Sequence, residues 1–130
     1  MISVKQKRPM NFSMKFDTDF NGGDMTCQCS TSMNLIPYPH NGTAVAFISL
    51  SAKFVSLKSN FTLAPHITIP FEIYPKDGIK PMDLYDCVIK TKSHLQGIIN
   101  ATFLGSPTPN LTNISFDEIA DIISDNIEKI

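Results

Sequence analysis

The sequence has no tryptophan, only three cysteines and little charge: Asp, Glu, Lys and Arg make up 18% of its 130 residues, against roughly 25% in ordinary soluble domains. Each scarcity excludes something. An odd number of cysteines in a short chain argues against a secreted disulfide framework and for a reducing compartment. The net charge is −1, and the only basic stretch, Lys5, Lys7 and Arg8, reads as a solvated N-terminal arm. The clustered cations that hold nucleic acid are therefore missing, and no nucleic-acid partner is expected. No run of about 18 apolar residues occurs, so no membrane span is expected. The opening MISVKQKRPM carries charge where a signal peptide keeps an apolar stretch, which points to the cytoplasm. Six Asn-x-Ser/Thr triplets begin at Asn11, Asn41, Asn60, Asn100, Asn110 and Asn113. Without a secretory signal they read as products of a composition rich in Asn, Ser and Thr. So little charge leaves solvation to those three residue types, or hides apolar surface in an oligomer. Dividing the chain would leave two pieces too small for a sizeable core, so residues 1–130 are expected to form one domain.

What is present is alternation. Phe12, Met14 and Phe16 alternate with Ser13, Lys15 and Asp17 over 10–17, and Phe20–Asp24 supplies a turn. Met25, Cys27, Cys29, Thr31, Met33 and Leu35 then share one face of a second strand, opposite the uncharged Thr26, Gln28, Ser30, Ser32 and Asn34. Tyr38–Gly42 closes it. In the third strand Ala44, Ala46, Ile48, Leu50, Ala52 and Phe54 oppose Val45, Phe47, Ser49, Ser51, Lys53 and Val55; apolar residues on both sides suggest a central strand partly covered twice. A turn is expected at Ser59–Asn60. The fourth strand sets Phe61, Leu63, Ile67, Ile69, Phe71 and Ile73 together, and Pro65 and Pro70 place it at a sheet edge or around a bulge. The spacing then changes. Leu84, Cys87, Val88, Leu95, Ile98 and Ile99 recur every three or four residues, widened by Tyr85, Ile89 and Phe103, which predicts a helix from about Pro81 to Leu104. Gly97 inside it suggests close packing against something, and Gly105 and Pro107 end it. Leu111 and Ile114 anchor a loop. Ser115 with Glu118 opens a last helix along Ile119, Ile122, Ile123, Ile127 and Ile130.

A search for chemistry returns little. Cys27-x-Cys29, with His40 nearby, has the wrong spacing for structural zinc and reads as core packing; no metal and no cofactor are expected. His66 and His94 have no nucleophile or carboxylate in a dyad-forming context. Asp83, Asp86, Asp117, Glu118 and Asp121 suit the positive ends of helices. Gly22-Gly23 precedes a strand, so it is not a phosphate cradle. No catalytic residue is assigned, and no enzyme is expected.

The element order, together with Pro107, Asn110, Leu111, Ile114, Ser115, Phe116 and Asp117, resembles the SecB family of export chaperones, whose loop carries a Pro-x-x-Asn-Leu step and then an apolar-polar-Phe-Asp step. The resemblance implies an α+β fold: a four-stranded antiparallel sheet, then a long helix and a short C-terminal helix. It implies a homodimer or homotetramer with sheets paired edge to edge and helices packed between dimers. It also implies a protein-transport role in which unfolded or export-destined polypeptides are held without catalysis, in apolar grooves and at a sheet edge. The groove candidates are Met33, Leu35, Tyr38, Phe54, Phe61, Phe71, Tyr74, Ile98 and Phe103, whose soft or broad side chains suit promiscuous contact. Two departures stand out. The family's aromatic–proline step has no counterpart between Met82 and Phe103. The acidic sheet surface that docks a translocation motor is replaced by Thr26, Gln28, Ser30 and Ser32, so a motor or a toxin–antitoxin partner is open. A structural β-module of a phage or cell-surface assembly, or a small enzyme with a scattered site, are the other classes. The apolar arc of the first helix, wider than one sheet should cover, carries the expectation of a guest or second subunit.

Overall fold

A computed structural model describes residues 2–6, 11–13, 25–38, 42–56, 61–75, 78–102 and 109–128. In chain order the elements are β1 (Ile2–Gln6), β2 (Asn11–Ser13), β3 (Met25–Tyr38), β4 (Thr43–Ser56), β5 (Phe61–Leu63), β6 (His66–Pro75), α1 (Pro81–Thr102) and α2 (Phe116–Ile127). The strands make one antiparallel sheet in the order β1-β6-β4-β3, with β2 also on β6 and β5 on β4. There are thus four strand positions, two of them interrupted: β1 with β2, and β5 with β6. This is the expected α+β class. The turns expected at Phe20–Asp24 and Ser59–Asn60, and the helix stop at Gly105 and Pro107, lie outside the described residues.

Prolines explain both interruptions. Pairing along β4 keeps one register from Ala44 opposite Ile73 to Ser56 opposite Phe61. Pro65 accordingly falls opposite Ala52 and accepts its N–H at 3.0 Å, but has no N–H to return, so one ladder bond is missing and the strand breaks without slipping. Bonding direction alternates along a strand, so Pro70 turns its nitrogen to the other neighbour. There β1 ends with Gln6 opposite Phe71 and β2 begins with Asn11 opposite Thr68, two residues out of step. The missing donor of Pro70 falls at that break. Of the two expectations the prolines raised, the edge position fails and the local irregularity is found: the fourth strand lies inside the sheet, with β3 at one edge and β1 with β2 at the other. Lys5 likewise belongs to a strand, opposite Glu72, and not to a free arm.

The alternation read in β3, β4 and β6 places the core. Ala44, Ala46, Ile48, Leu50, Phe54, Leu63, Ile67, Ile69, Phe71 and Ile73 are buried on one face, and both helices pack there, α1 across β4 and β6 and α2 along β3. Helix α1 contributes Leu84, Cys87, Val88, Leu95 and Ile99. Its buried Thr91 hydroxyl is satisfied by donating to Cys87 O at 2.9 Å, the usual escape for a hydroxyl inside a helix. Phe54 and Phe71 have no exposed surface, so truncating either to alanine removes on the order of 3–5 kcal/mol. Helix α2 starts where the cap was expected: Ser115 is extended, and its side chain accepts Glu118 N–H at 3.3 Å. Leu111 and Ile114 anchor the preceding loop in the core. One expectation fails. A Cβ placed on Gly97 would meet nothing within 4 Å, so no close approach accounts for that glycine.

Candidate functional site

The opposite face of the sheet has no helix over it among the described residues. Its rows follow from the register. Ile36, Val45 and Glu72 lie side by side, then Asn34, Phe47 and Pro70, then Ser32, Ser49 and Thr68, then Ser30, Ser51 and His66. One end is apolar and the middle is a ladder of hydroxyls. Ser49 Oγ lies 2.7 Å from Thr68 Oγ1, and Ser51 Oγ 2.5 Å from His66 Nδ1. At the apolar end Tyr38 and Tyr74 are 43% and 38% exposed, and a hydrogen bond to Glu72 raises the Tyr74 hydroxyl above its ordinary pKa. On this face Val45, Phe47 and Val55 of the central strand β4 are half-buried, with no helix over them among the described residues.

The nine groove candidates do not converge. Leu35, Phe54 and Phe71 are core residues with at most 2% exposure, because their strand parity points them at the helices; they line no groove. Tyr38 and Tyr74 stand on the bare face. Met33 and Ile98 are half-buried against the core from the helix side. The Phe61 side chain and Phe103 lie outside the described residues.

Part of the wide apolar arc of α1 is closed within the protomer. Tyr85 donates its hydroxyl to Ile114 O at 2.7 Å and meets Phe116 edge-on, ring centres 5.7 Å apart. Gln96 clasps the loop before α2: its Nε2 donates to Pro109 O at 2.9 Å, and its Oε1 accepts Leu111 N–H at 2.7 Å. Between this loop and α1 remains an open groove of about 420 Å³, lined by Ile89, Lys92, Ser93, Gln96, Gly97, Asn100, Asn110 and Leu111. Its walls are polar and apolar in about equal measure. Among the described residues, the Tyr85 part of the surplus apolar width is taken up by the chain's own loop and second helix; Ile89 stays at the open groove, Phe103 lies outside the described residues, and Met82 is the large apolar residue of α1 most open to solvent.

Groups that carry chemistry are sparse. His66 meets Ser51, a contact that sequence order, fifteen residues apart, did not suggest; cross-strand register is its cause. His94 is exposed on α1. Cys87 is buried, which pushes its thiol up to about 12. Cys27 and Cys29, read as core, are only half-buried and turn toward each other. Three polar residues that organise this end of the molecule went unread: Gln96, Thr112 and Asn126. Only Asn126 left a signal, as an amide one turn from Ile122 and Ile123 in an otherwise isoleucine-lined stripe.

The fold so defined is that of SecB-like chaperones. No family model matches the sequence, and no curated protein does. Among solved structures, the chain is similar to the Mycobacterium tuberculosis SecB-like chaperone Rv1957, in complex with a ChAD peptide from the Rv1956 HigA1 antitoxin: TM-score 0.56 at 10% identity, over 88% of this chain and 91% of that one. At that identity the likeness is one of fold. No described helix is long and apolar enough to cross a membrane.

Proposed function

We propose that this chain is a polypeptide-binding chaperone of the SecB-like kind, holding unfolded or export-destined segments without catalysis. The observation that carries the proposal is the bare sheet face, whose apolar end presents Ile36, Val45, Phe47, Pro70 and the two exposed tyrosines with Glu72 as its acidic member. Exposed apolar surface of this kind marks interaction sites, and tyrosines give broad contact at low entropic cost. The SecB-like fold supports the same direction, since the solved neighbour is a chaperone bound to a peptide. A homodimer or homotetramer in a reducing cytoplasm completes the proposal. The partner is an extended apolar segment of a client or an antitoxin-like protein; a motor ATPase docking on acidic residues does not suit this face. Of the groove candidates, Tyr38 and Tyr74 stand on this face and are carried forward.

The test is suppression of aggregation. A denatured client is diluted into buffer with the purified chain and followed by light scattering, with the oligomeric state measured alongside. Suppression near one client per oligomer is expected, weakened by the double replacement Tyr38→Ser, Tyr74→Ser. Both sites are exposed, so the fold should survive that change. A monomer that leaves client aggregation untouched sinks the proposal.

A further inference from the structure

We infer that Cys27 and Cys29 form a chelating dithiol for a soft monovalent metal ion, Cu(I), beneath the loop that precedes α2. Neighbours two apart on a strand face stand about 6.6–6.8 Å apart at their backbones, yet these two sulfurs converge to 3.7 Å. An ion held by two thiolates alone keeps them nearly in line, so two bonds of about 2.3 Å span roughly 4.6 Å; the sulfurs, already at 3.7 Å, reach that span by a side-chain rotation that opens them by less than the width of one bond. One residue of the loop reaches the pair: Thr112 gives its hydroxyl to Cys29 Sγ at 3.3 Å. Donors aimed at sulfur are the outer shell that fixes and tunes a thiolate ligand. A cavity of about 170 Å³ opens beside Cys29, walled by Thr31, Thr112, Ile114, Glu118 and Ile119, and both cysteines keep partial solvent access.

The ligand set selects the ion. Structural zinc asks for four ligands, and among the described residues no third His, Cys, Asp or Glu stands with this pair as a metal group. Soft thiolates select Cu(I), which is content with two. Binding is a simple exchange: Cu(I) and two thiols give a bis-thiolate complex and two released protons, with no change of oxidation state. Burial holds the Cys27 thiol up at about 11, so the metal must displace the proton, as it does at other thiolate sites. Cys87, buried beneath α1, takes no part. The site is independent of the sheet-face proposal and stands or falls without it.

Reduced protein is titrated without oxygen with Cu(I), supplied as its acetonitrile complex, against bicinchoninate, and bound copper is counted by native mass spectrometry. One Cu(I) per chain is expected, kept in Cys87→Ala and lost in both Cys27→Ser and Cys29→Ser. Thr112→Val keeps the ligands and the side-chain shape but removes the hydroxyl; it should weaken binding about tenfold, with circular dichroism unchanged. Failure to take copper from bicinchoninate, retention by either serine variant, or dependence on Cys87 overturns the inference.

Discussion

Asn126 is the side chain whose loss the structure prices most clearly. It is 3% exposed; its Oδ1 accepts Leu35 N–H from β3 at 3.0 Å, and its Nδ2 donates to Ile122 O at 2.8 Å. Alternation along β3 turns the Leu35 N–H away from β4, toward the sheet's edge, so the helix amide stands in for a missing strand. In Asn126→Ala that buried N–H has no acceptor, which costs about 1–3 kcal/mol, and the lost packing brings the total to roughly 2–4 kcal/mol. With a urea slope of about 2 kcal/mol/M, the middle of the usual range, the midpoint should fall by about 1–2 M. Asn126→Leu separates the causes, since it refills the volume but still strands the N–H. It should stay destabilised by at least about 1 kcal/mol, and the Leu35 amide should lose hydrogen-exchange protection. In Asn126→Asp burial raises the carboxyl's folded pKa, so stability stays near wild type at acid pH, where the group is neutral, and falls as pH rises above about 4. An Asn126→Leu variant of wild-type stability with a protected Leu35 amide would refute the edge-bridging role.

Two further outcomes follow from burial and space. Gly97→Ala fills an empty position on a helix and should raise stability by about 1 kcal/mol, visible as a higher Tm; a loss would mean an unseen close contact. Burial lifts Cys87 from 9.0 to about 12. A folded pKa above the unfolded one contributes stability that is whole below pH 9 and drains as pH climbs toward 12, at most about 4 kcal/mol. Urea midpoints at pH 8 and pH 10 should therefore differ in the wild type and differ less in Cys87→Ala, where only the raised thiol of Cys27 still contributes.

Strand parity was the most legible part of the fold. Every inward residue read in β4, from Ala44 to Phe54, is buried, because a strand with one covered face must alternate. The prolines misled because a missing donor was assigned to an edge; Pro65 and Pro70 sit inside the sheet where the ladder forgoes one bond or the neighbour is already broken. The site was less legible. Leu35, Phe54 and Phe71 have the chemistry of groove residues, but their parity assigns them to the core. Val45 and Phe47 share the parity of the bare face, and their apolar character hid that face in the sequence. Gln96 bonds backbone groups of a loop further along the chain, and Thr112 of that loop reaches a thiol back on β3; nothing local to either residue announces that.

The clasp of Gln96 decides which surface a guest can use. A SecB-like protein could offer the helix margin, but here that margin lies under residues 109–111, held by two bonds from one amide. Breaking both in Gln96→Leu leaves the Leu111 N–H without its acceptor and costs about 1–3 kcal/mol, and the freed loop should become sensitive to protease. Its effect on client holding separates two geometries. If guests lie on the bare sheet face, Gln96→Leu holds client as well as the wild type does, and Tyr38→Ser with Tyr74→Ser remains the damaging change. If guests must lift the loop to reach α1, the closed state taxes binding, and its removal strengthens holding by up to the clasp's own free energy, about five- to a hundredfold in affinity for the range above. An increase of that size in Gln96→Leu, with the tyrosine pair silent, would move the binding surface from the sheet to the helix.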